Sequence, residues 1–478
     1  MAEGIQARQN WICHVGFEDS GVRPMPPTNA QAIRESYHSV PSVKSRLSRR
    51  IQNCSEGIAK SPLFAWIWRS RPSKTGSTES IVSVKSHQSS VKDPLVSAIS
   101  HLLRIPFRLA PRSALLNTPN SILIIKPCCL GDVLMATPVI AALRQAFPRA
   151  RIDFAVGGWA RAMVENNPHL DGLVDCGPSA SPWSFGPGTK GSGRGPVGSG
   201  SRYSWREYFG LVRRIRAGGY EACFVLDRSP LISLLPYLGG VPRRVGLDSQ
   251  GRGFSLTVGV PVAGLKHEAE LYLDTVRAVG IEVSEPGLEF YPTEEDRRHV
   301  AEMLRAEPKI PLVVIHPAGG SNPGMILSAK RWPPQRFAAL ADRLIEERRA
   351  RVLLVGGPDD GPIAAAIKDG MGQEPCDLTE QLTFGQLGAL LEWCDLFIGH
   401  DTGAMHLAVA AGAPVAAIFG PSDPRMYGPY GESSVALWHD VGCNPCLLHG
   451  RWDTACRRFR CIEAVTVEEV WQAAITFL

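Results

Sequence analysis

The feature that most constrains the fold is a unit the chain uses twice: a short apolar run that ends in a glycine-bearing turn and leads into a helix. The first begins at Ser121. Ile122–Ile125 is a buried-strand signal, Cys128-Cys-Leu-Gly-Asp132 is the loop, a helical pattern covers Val133–Ala146, and Arg151–Val156 is the next strand. Runs this short, bounded by turn residues, suit strands buried on both faces, and strand–helix–strand alternation builds parallel sheets. Cys223–Leu226 reads as a further strand and His267–Gly280 as a helix. After Glu307 the series restarts. Leu312–His316, Arg351–Val355, Leu396–Ile398 and Val415–Phe419 read as strands, and Gln335–Arg348, Leu387–Cys394 and Met405–Ala411 as helices. Two such halves, joined near residues 285–310, predict an α/β protein of two doubly wound domains facing each other across a cleft. Ligands of these sheets bind beyond the carboxyl ends of the strands. That rule gathers Gly131-Asp132, His316–Gly320, Gly356–Asp360 and Gly399–Gly403 at one cleft.

The 478 residues divide into a tail over 1–118, a first domain over 119–300 and a second over 301–478. The tail is rich in Ser, Pro and basic residues and reads as mostly disordered, with a basic amphipathic segment over 93–112 suited to docking or to weak contact with a membrane surface. Residues 1–115 hold 16 Lys/Arg against 7 Asp/Glu, a net +9, so the chain's +5 leaves −4 on the rest. The folded part therefore carries no electrostatic case for binding nucleic acid. The Gly/Pro/Ser-rich stretch 177–204 reads as a flexible insertion. Its Gly193-Arg-Gly-Pro-Val-Gly198 matches a dinucleotide fingerprint in letters only, since it follows no strand and opens no helix. No fingerprint stands between a strand and a helix elsewhere, which argues against a nicotinamide oxidoreductase. No signal peptide or membrane-length apolar run is visible, so a cytoplasmic location is expected.

Four segments could carry chemistry. In Phe397-Ile-Gly-His-Asp401-Thr402-Gly403-Ala-Met-His406 a strand hands polar residues and a glycine to a helix start. Helix N-termini leave backbone N–H groups unpaired and suit phosphate oxygens, but Asp and Thr are equally ordinary N-caps. Asp132, heading the first helix, is either a cap or a general base. Lys330, in Ala329-Lys-Arg-Trp-Pro333, is either solvated or a point charge for a diphosphate. Asp360, after a Gly-Gly-Pro turn, is either a turn acid or a partner for ribose hydroxyls. The cysteines Cys443, Cys446, Cys456 and Cys461 fall short of zinc-ribbon spacing and point less to a metal than to packed thiols. No Asp-x-Asp pair occurs, so backbone dipoles and lysine are expected to neutralise any departing diphosphate.

Taken in order, Ile124-Ile-Lys-Pro-Cys-Cys-Leu-Gly-Asp132-Val-Leu-Met-Ala-Thr-Pro138, Lys330-Arg-Trp-Pro333, Gly399-His-Asp-Thr-Gly-Ala-Met-His-Leu407 and Pro421-Ser-Asp423-Pro resemble glycosyltransferase family 9, the ADP-heptose:lipopolysaccharide heptosyltransferases. The resemblance spans about residues 121–478. It implies a GT-B fold and an inverting transfer that needs no metal or other cofactor. It implies Asp132 as the base that activates the acceptor hydroxyl, with Lys330, Thr402, Gly403 and His406 on the donor diphosphate. Asp401 would meet the sugar hydroxyls, and Asp360 stands near where the family has a ribose-binding acid. The donor would be a nucleotide-diphosphate sugar, ADP-heptose, and the acceptor a lipid-linked glycan reached at the inner face of the cytoplasmic membrane. Cys128-Cys129 departs from the family, which has small hydroxyl residues there, as do the tail and the 177–204 insertion. A transferase with another nucleotide sugar, and a non-catalytic glycan-binding scaffold, are the alternative readings.

Overall fold

A computed structural model of the chain describes Phe107, 118–177, 205–304, 310–322, 325–448, 451–452 and 459–478. All of these fall within one compact unit, Val91–Leu478. The expectations for the tail and for the 177–204 insertion lie outside the described residues, apart from Phe107 and Thr118 of the first and Gly177 of the second.

The first half is a six-stranded sheet of β1 (Ser121–Ile125), β2 (Arg151–Val156), β3 (Gly172–Asp175), β4 (Ala222–Val225), β5 (Arg243–Asp248) and β6 (Val258–Pro261). Its order is β3-β2-β1-β4-β5-β6, with every neighbouring pair parallel. The second half has β7 (Leu312–His316), the small hairpin β8 (Ser321–Asn322) and β9 (Met325–Ile326), β10 (Arg351–Leu354), β11 (Cys376–Asp377), β12 (Leu396–His400), β13 (Val415–Ile418) and β14 (Ser434–Leu437). Its main sheet runs β11-β10-β7-β12-β13-β14, again all parallel. Counted within each sheet, both orders are third, second, first, fourth, fifth, sixth. In each, the strand order reverses between the first strand and the fourth, which opens a crevice at their carboxyl ends.

The helices follow the strands: α1 (Leu130–Met135), α2 (Thr137–Ala146), α3 (Trp205–Gly218), α4 (Pro230–Leu238), α5 (Glu268–Arg277), α6 (Glu294–Leu304), α7 (Pro334–Arg348), α8 (Gly361–Lys368), α9 (Phe384–Leu391), α10 (Gly403–Ala410), α11 (Pro424–Tyr427), α12 (Arg460–Ala464) and α13 (Val467–Ala474). The single helix expected over Val133–Ala146 is two. Pro138 opens the second, and the Thr137 hydroxyl bonds the Leu134 carbonyl at the junction. Proline has no N–H for the ladder and is tolerated in a helix's first turn, so the chain restarts there. The helix expected at Leu387–Cys394 begins instead at Phe384, set by a reciprocal capping box of Thr383 and Gln386. Helix α6 joins the second half, where Arg297 bonds Glu392 through Nε and Nη2 at 2.9 and 3.0 Å.

Alternate residues of each central strand supply different cores. Ile122 and Ile124 point one way with Val314 and Phe397, whereas Leu123 and Ile125 join Tyr208 and Leu235, and Val313 and Ile315 join Phe337 and Trp471. Two outer cores thus seal the far faces, and one apolar cluster runs through both halves. Each Ile, Leu or Phe so buried contributes about 1.5–3 kcal/mol. Among the described residues no helix is long and apolar enough to cross a membrane.

Candidate active site

The first sheet delivers its polar residues from the ends of β1 and β4. Lys126 follows β1 directly, and its Nζ lies 3.0 Å from Asp132 Oδ2 and 3.6 Å from Asp227 Oδ2. It also sits 5.6 Å from the centre of the Tyr272 ring. A lysine only 7% exposed needs such partners. Burial alone would pull its ammonium down, but Asp132, Tyr272 and Asp227 together hold it well above the ordinary value. Asp132 occupies the first turn of α1, where the helix N-terminus favours an anion, and at 31% exposure it opens onto the cleft. Beside it, Arg228 Nη2 meets the buried carboxylate of Glu268 at 2.5 Å.

The second sheet answers from β7 and β12. Lys330 Nζ donates to Asp401 Oδ2 at 2.6 Å and to the Asp401 carbonyl at 3.2 Å. Burial would raise the Asp401 carboxyl, yet the Lys330 charge and hydrogen bond hold it below the usual carboxylate range. Thr402 is the N-cap of α10 by position, but its side chain makes no capping bond. Its hydroxyl is buried without a hydrogen-bond partner among the described residues, a condition that costs about 1–3 kcal/mol until a ligand relieves it. The same holds for Nδ1 of His406, whose imidazole is pushed down to about 4 by burial and is therefore neutral. His400, at the strand end, is structural. Its Nε2 accepts from the Trp332 N–H at 2.8 Å and its Nδ1 bonds the Ala318 carbonyl at 2.9 Å. Asp360 accepts the Gly357 N–H at 2.8 Å, closing the Gly-Gly-Pro turn, and still lines the cleft.

The two helix N-termini touch. A Cβ on Gly131 would stand 2.6 Å from His406 Cδ2, and one on Gly403 2.7 Å from Leu130 Cβ. Glycine is needed at both places because α1 of one half and α10 of the other approach to within a side chain's width. The result is one cleft of about 930 Å³, shared by both halves. Asp132, Lys330, Asp360, Asp401, Thr402, Gly403 and His406 all line it. Phe290, Val355, Leu378, Leu382 and Phe384 add apolar lining. Such a volume, part apolar and part polar, fits a ligand of nucleotide-sugar size.

Sequence reasoning missed Lys126, Asp227, Arg228 and Glu268, which also line the cleft. The signal for three of them was present, since Lys126 and Asp227-Arg228 follow strands at their carboxyl ends, as Asp401 does. Glu268 is different. It opens α5 seven residues after β6, at the end of a segment without a recognised motif, and the packing of α5 brings it to Arg228. Of the four C-terminal cysteines, Cys456 lies outside the described residues, Cys461 is buried and Cys443 is exposed. Among the described residues no cluster of His, Cys, Asp and Glu could hold a metal ion.

Comparison with known proteins adds to this geometry. A family model described as glycosyltransferase family 9 (heptosyltransferase) matches residues 208–452, just over half of the chain. Lipopolysaccharide heptosyltransferase 2 of Escherichia coli (strain K12) is 25% identical over 329 residues, which cover 66% of this chain and 87% of that protein. The crystal structure of a glycosyl transferase family 9 member from Veillonella parvula is similar with a TM-score of 0.61 at 22% identity, over 76% of this chain and 99% of that one. That of the E. coli ADP-heptose lps heptosyltransferase II gives a TM-score of 0.55 at 19% identity, over 75% and 98%. The shared architecture is GT-B, two Rossmann-like domains with the cleft between them.

Proposed function

From the premise that this chain belongs to glycosyltransferase family 9 and is a glycosyltransferase, we propose that it transfers a heptose from ADP-heptose to the core of a lipopolysaccharide or a related surface glycan. The observation that carries the reading is the shared cleft, onto which Asp132 opens from the first sheet and Lys330, Asp401 and Thr402 from the second. The names of the relatives support the sugar, the donor and the lipopolysaccharide acceptor. A lipid-linked acceptor would bring the enzyme to the inner face of the cytoplasmic membrane as a peripheral visitor.

In this reading Asp132 takes the proton of an acceptor hydroxyl while that oxygen forms its bond to the anomeric carbon. The bond from the anomeric carbon to the phosphate oxygen breaks as the new one forms, so configuration inverts and the nucleoside diphosphate departs with the electron pair. Lys126 engages Oδ2 of Asp132 and keeps the carboxylate turned towards the cleft. The N-terminus of α10 faces the diphosphate with its backbone N–H groups and the unpartnered Thr402 hydroxyl, Gly403 allowing the close approach. Lys330 spends two of its three donors on Asp401 and keeps one for a phosphate oxygen. With Nδ1 unpartnered, the neutral His406 offers a further hydrogen bond there. Asp401 meets sugar hydroxyls and Asp360 the ribose, with the base against apolar lining of the second half such as Leu378 and Leu382. Lysine and a helix dipole aimed at the developing charge serve the leaving group without a metal ion, consistent with the lack of any Asp-x-Asp pair.

Calorimetric titration of the full chain with ADP, UDP and GDP, without added metal, tests this. Preference for ADP supports the donor. Preference for UDP or GDP replaces the nucleotide and keeps the mechanism, and a folded sample that binds none of them leaves a glycan-binding scaffold.

A further inference from the structure

The loop that carries Asp132 holds two thiols for which the transfer has no use. Cys128 and Cys129 are both free and both partly exposed, and their Sγ atoms lie 3.0 Å apart. Neighbouring side chains in extended backbone point to opposite sides. Here Cys129 has a φ of 74°, in the left-handed region, and that turn brings the two sulfurs together. Cys129 is also the N-cap of α1. Its carbonyl accepts the Val133 N–H at 2.9 Å, and its side chain lines the cleft with Lys126 and Asp132.

We propose that Cys128–Cys129 is a thiol-oxidation site, which exchange with a low-molecular-weight disulfide closes to a ring and which, once closed, slows transfer at Asp132. The ring chemistry stands on the pair itself, whereas its effect on turnover rests on the reading of Asp132 as the base. Cys128 attacks first. The Cys129 thiol is held well above its ordinary range by its hydrogen bond with Cys128, by burial and by the Asp132 charge, so it stays protonated longer. The Cys128 sulfur, its proton lost to solvent, displaces one half of the small disulfide, which leaves as a thiol. Cys129 then gives up its proton and attacks the Cys128 sulfur of the mixed disulfide, expelling the second half. Two protein thiols and one disulfide become one protein disulfide and two small thiols, two electrons passing to the small molecule.

Closure brings the sulfurs from 3.0 Å to about 2.05 Å. The loop has little room to absorb that movement. Two residues on, Gly131 lies so close to His406 that a Cβ would be 2.6 Å from the ring, and Leu130 is packed as tightly over Gly403. The displacement therefore passes to Asp132, and a misplacement of about 1 Å in a catalytic group costs about 10²-fold in rate.

The test uses the full chain, fully reduced and then incubated with oxidised glutathione, with peptide mass and sugar transfer measured together. The expected result is loss of two hydrogens from the peptide holding Cys128 and Cys129, a fall in turnover of about 10²-fold, and recovery of both with dithiothreitol. The double variant Cys128→Ser/Cys129→Ser, compared with its own untreated sample, should keep its turnover. The proposal is overturned if no excess of glutathione removes the two hydrogens, if the ring forms and turnover is unchanged, or if the double variant loses turnover as the parent does. A reduced sample without turnover on any donor would defeat the transferase reading instead, and the peptide mass would still decide the thiol site.

Discussion

Asp132 and Asp401 are both carboxylates beside a lysine, and their surroundings give them different work. Asp132 keeps 31% of its side chain exposed at the cleft, whereas Asp401 is 9% exposed and locked to Lys330 at 2.6 Å. The open carboxylate can meet an incoming hydroxyl, and the closed one can only hold. Asp132→Ala should therefore lower turnover by about 10²–10⁴-fold, with ADP affinity measured by calorimetry little changed. Turnover close to that of the parent would remove Asp132 as the base. The buried histidines make a second prediction. His400 is pushed down to about 3 and His406 to about 4, both chiefly by burial, and His267 and His316 are lowered for the same reason. With folded values below the unfolded value of about 6.5, the unfolded chain takes up protons first as the pH falls. Their stabilisation is complete above about pH 6.5 and is lost below it, by about 1.4 kcal/mol per pH unit for each histidine until its folded value is reached. Asp401, with its depressed carboxyl, loses its contribution only as the pH falls below about 4. Urea denaturation between pH 7 and pH 5 should show the decline. His400→Gln, whose amide can both donate and accept in place of the ring, should make that slope shallower by one proton, and an unchanged slope would contradict the assignment.

At the scale of elements, the decisive contact is helix end against helix end. The glycine of Asp401-Thr-Gly403 reads as a diphosphate-binding residue and that of Leu-Gly-Asp132 as part of the loop carrying the base, yet each is also pressed by the opposite half. Gly131 faces His406 and Gly403 faces Leu130. Gly131→Ala should cost about 1–3 kcal/mol by overpacking. His406→Ala in the same chain should recover part of that cost, so the double variant is less destabilised than the sum of the two singles. Strict additivity in denaturant melts would mean that the two residues do not meet. The strands β1, β2, β4, β7, β10, β12 and β13 were legible because fully buried parallel strands read as short apolar runs, whereas the interior strand β5 was missed because Arg243-Arg-Val-Gly-Leu-Asp248 mixes charged residues and a glycine with only two apolar ones. The edge strands β3, β6, β11 and β14 were not, because they are short and half-buried and borrow their order from the neighbouring strand. The break between α1 and α2 was missed although Thr137-Pro138 carries its signal, because the apolar pattern runs on unbroken across it.

For the whole molecule, the repeated strand order explains how one cleft arises from two separate stretches of chain. Each sheet opens its crevice beside its first strand, and α1 and α10 then bring the two openings together. Phe107 is described ahead of the first sheet, and its ring lies 4.6 Å from that of Tyr237 and 5.6 Å from that of Phe254. Removing residues 1–90 should leave the melting temperature and ADP binding unchanged. Removing 1–115 also takes away Phe107 and should lower stability by about 1–3 kcal/mol, about 0.5–1.5 for each aromatic pair. Equal melting temperatures for the two truncated chains would show that the aromatic contact contributes nothing.

By itself the sequence determined the α/β class, the two halves, the ends of most central strands and, through four ordered motifs, the family and a core set of the cleft's polar residues: Asp132, Lys330, Asp360, Asp401, Thr402 and His406. Those properties follow from local periodicity and from the rule that ligands gather at strand ends, and both are written in neighbouring residues. Only the tertiary structure decided which groups face one another. It set Lys126 between Asp132 and Asp227, Glu268 against Arg228, His406 on Gly131 and the hydroxyl of Thr402 away from its own helix cap. Apart from Lys126 with Asp132 and the Thr402 cap, these partnerships join residues tens to hundreds of positions apart. Their approach in space is set by how sheets and helices pack, and no local pattern encodes it.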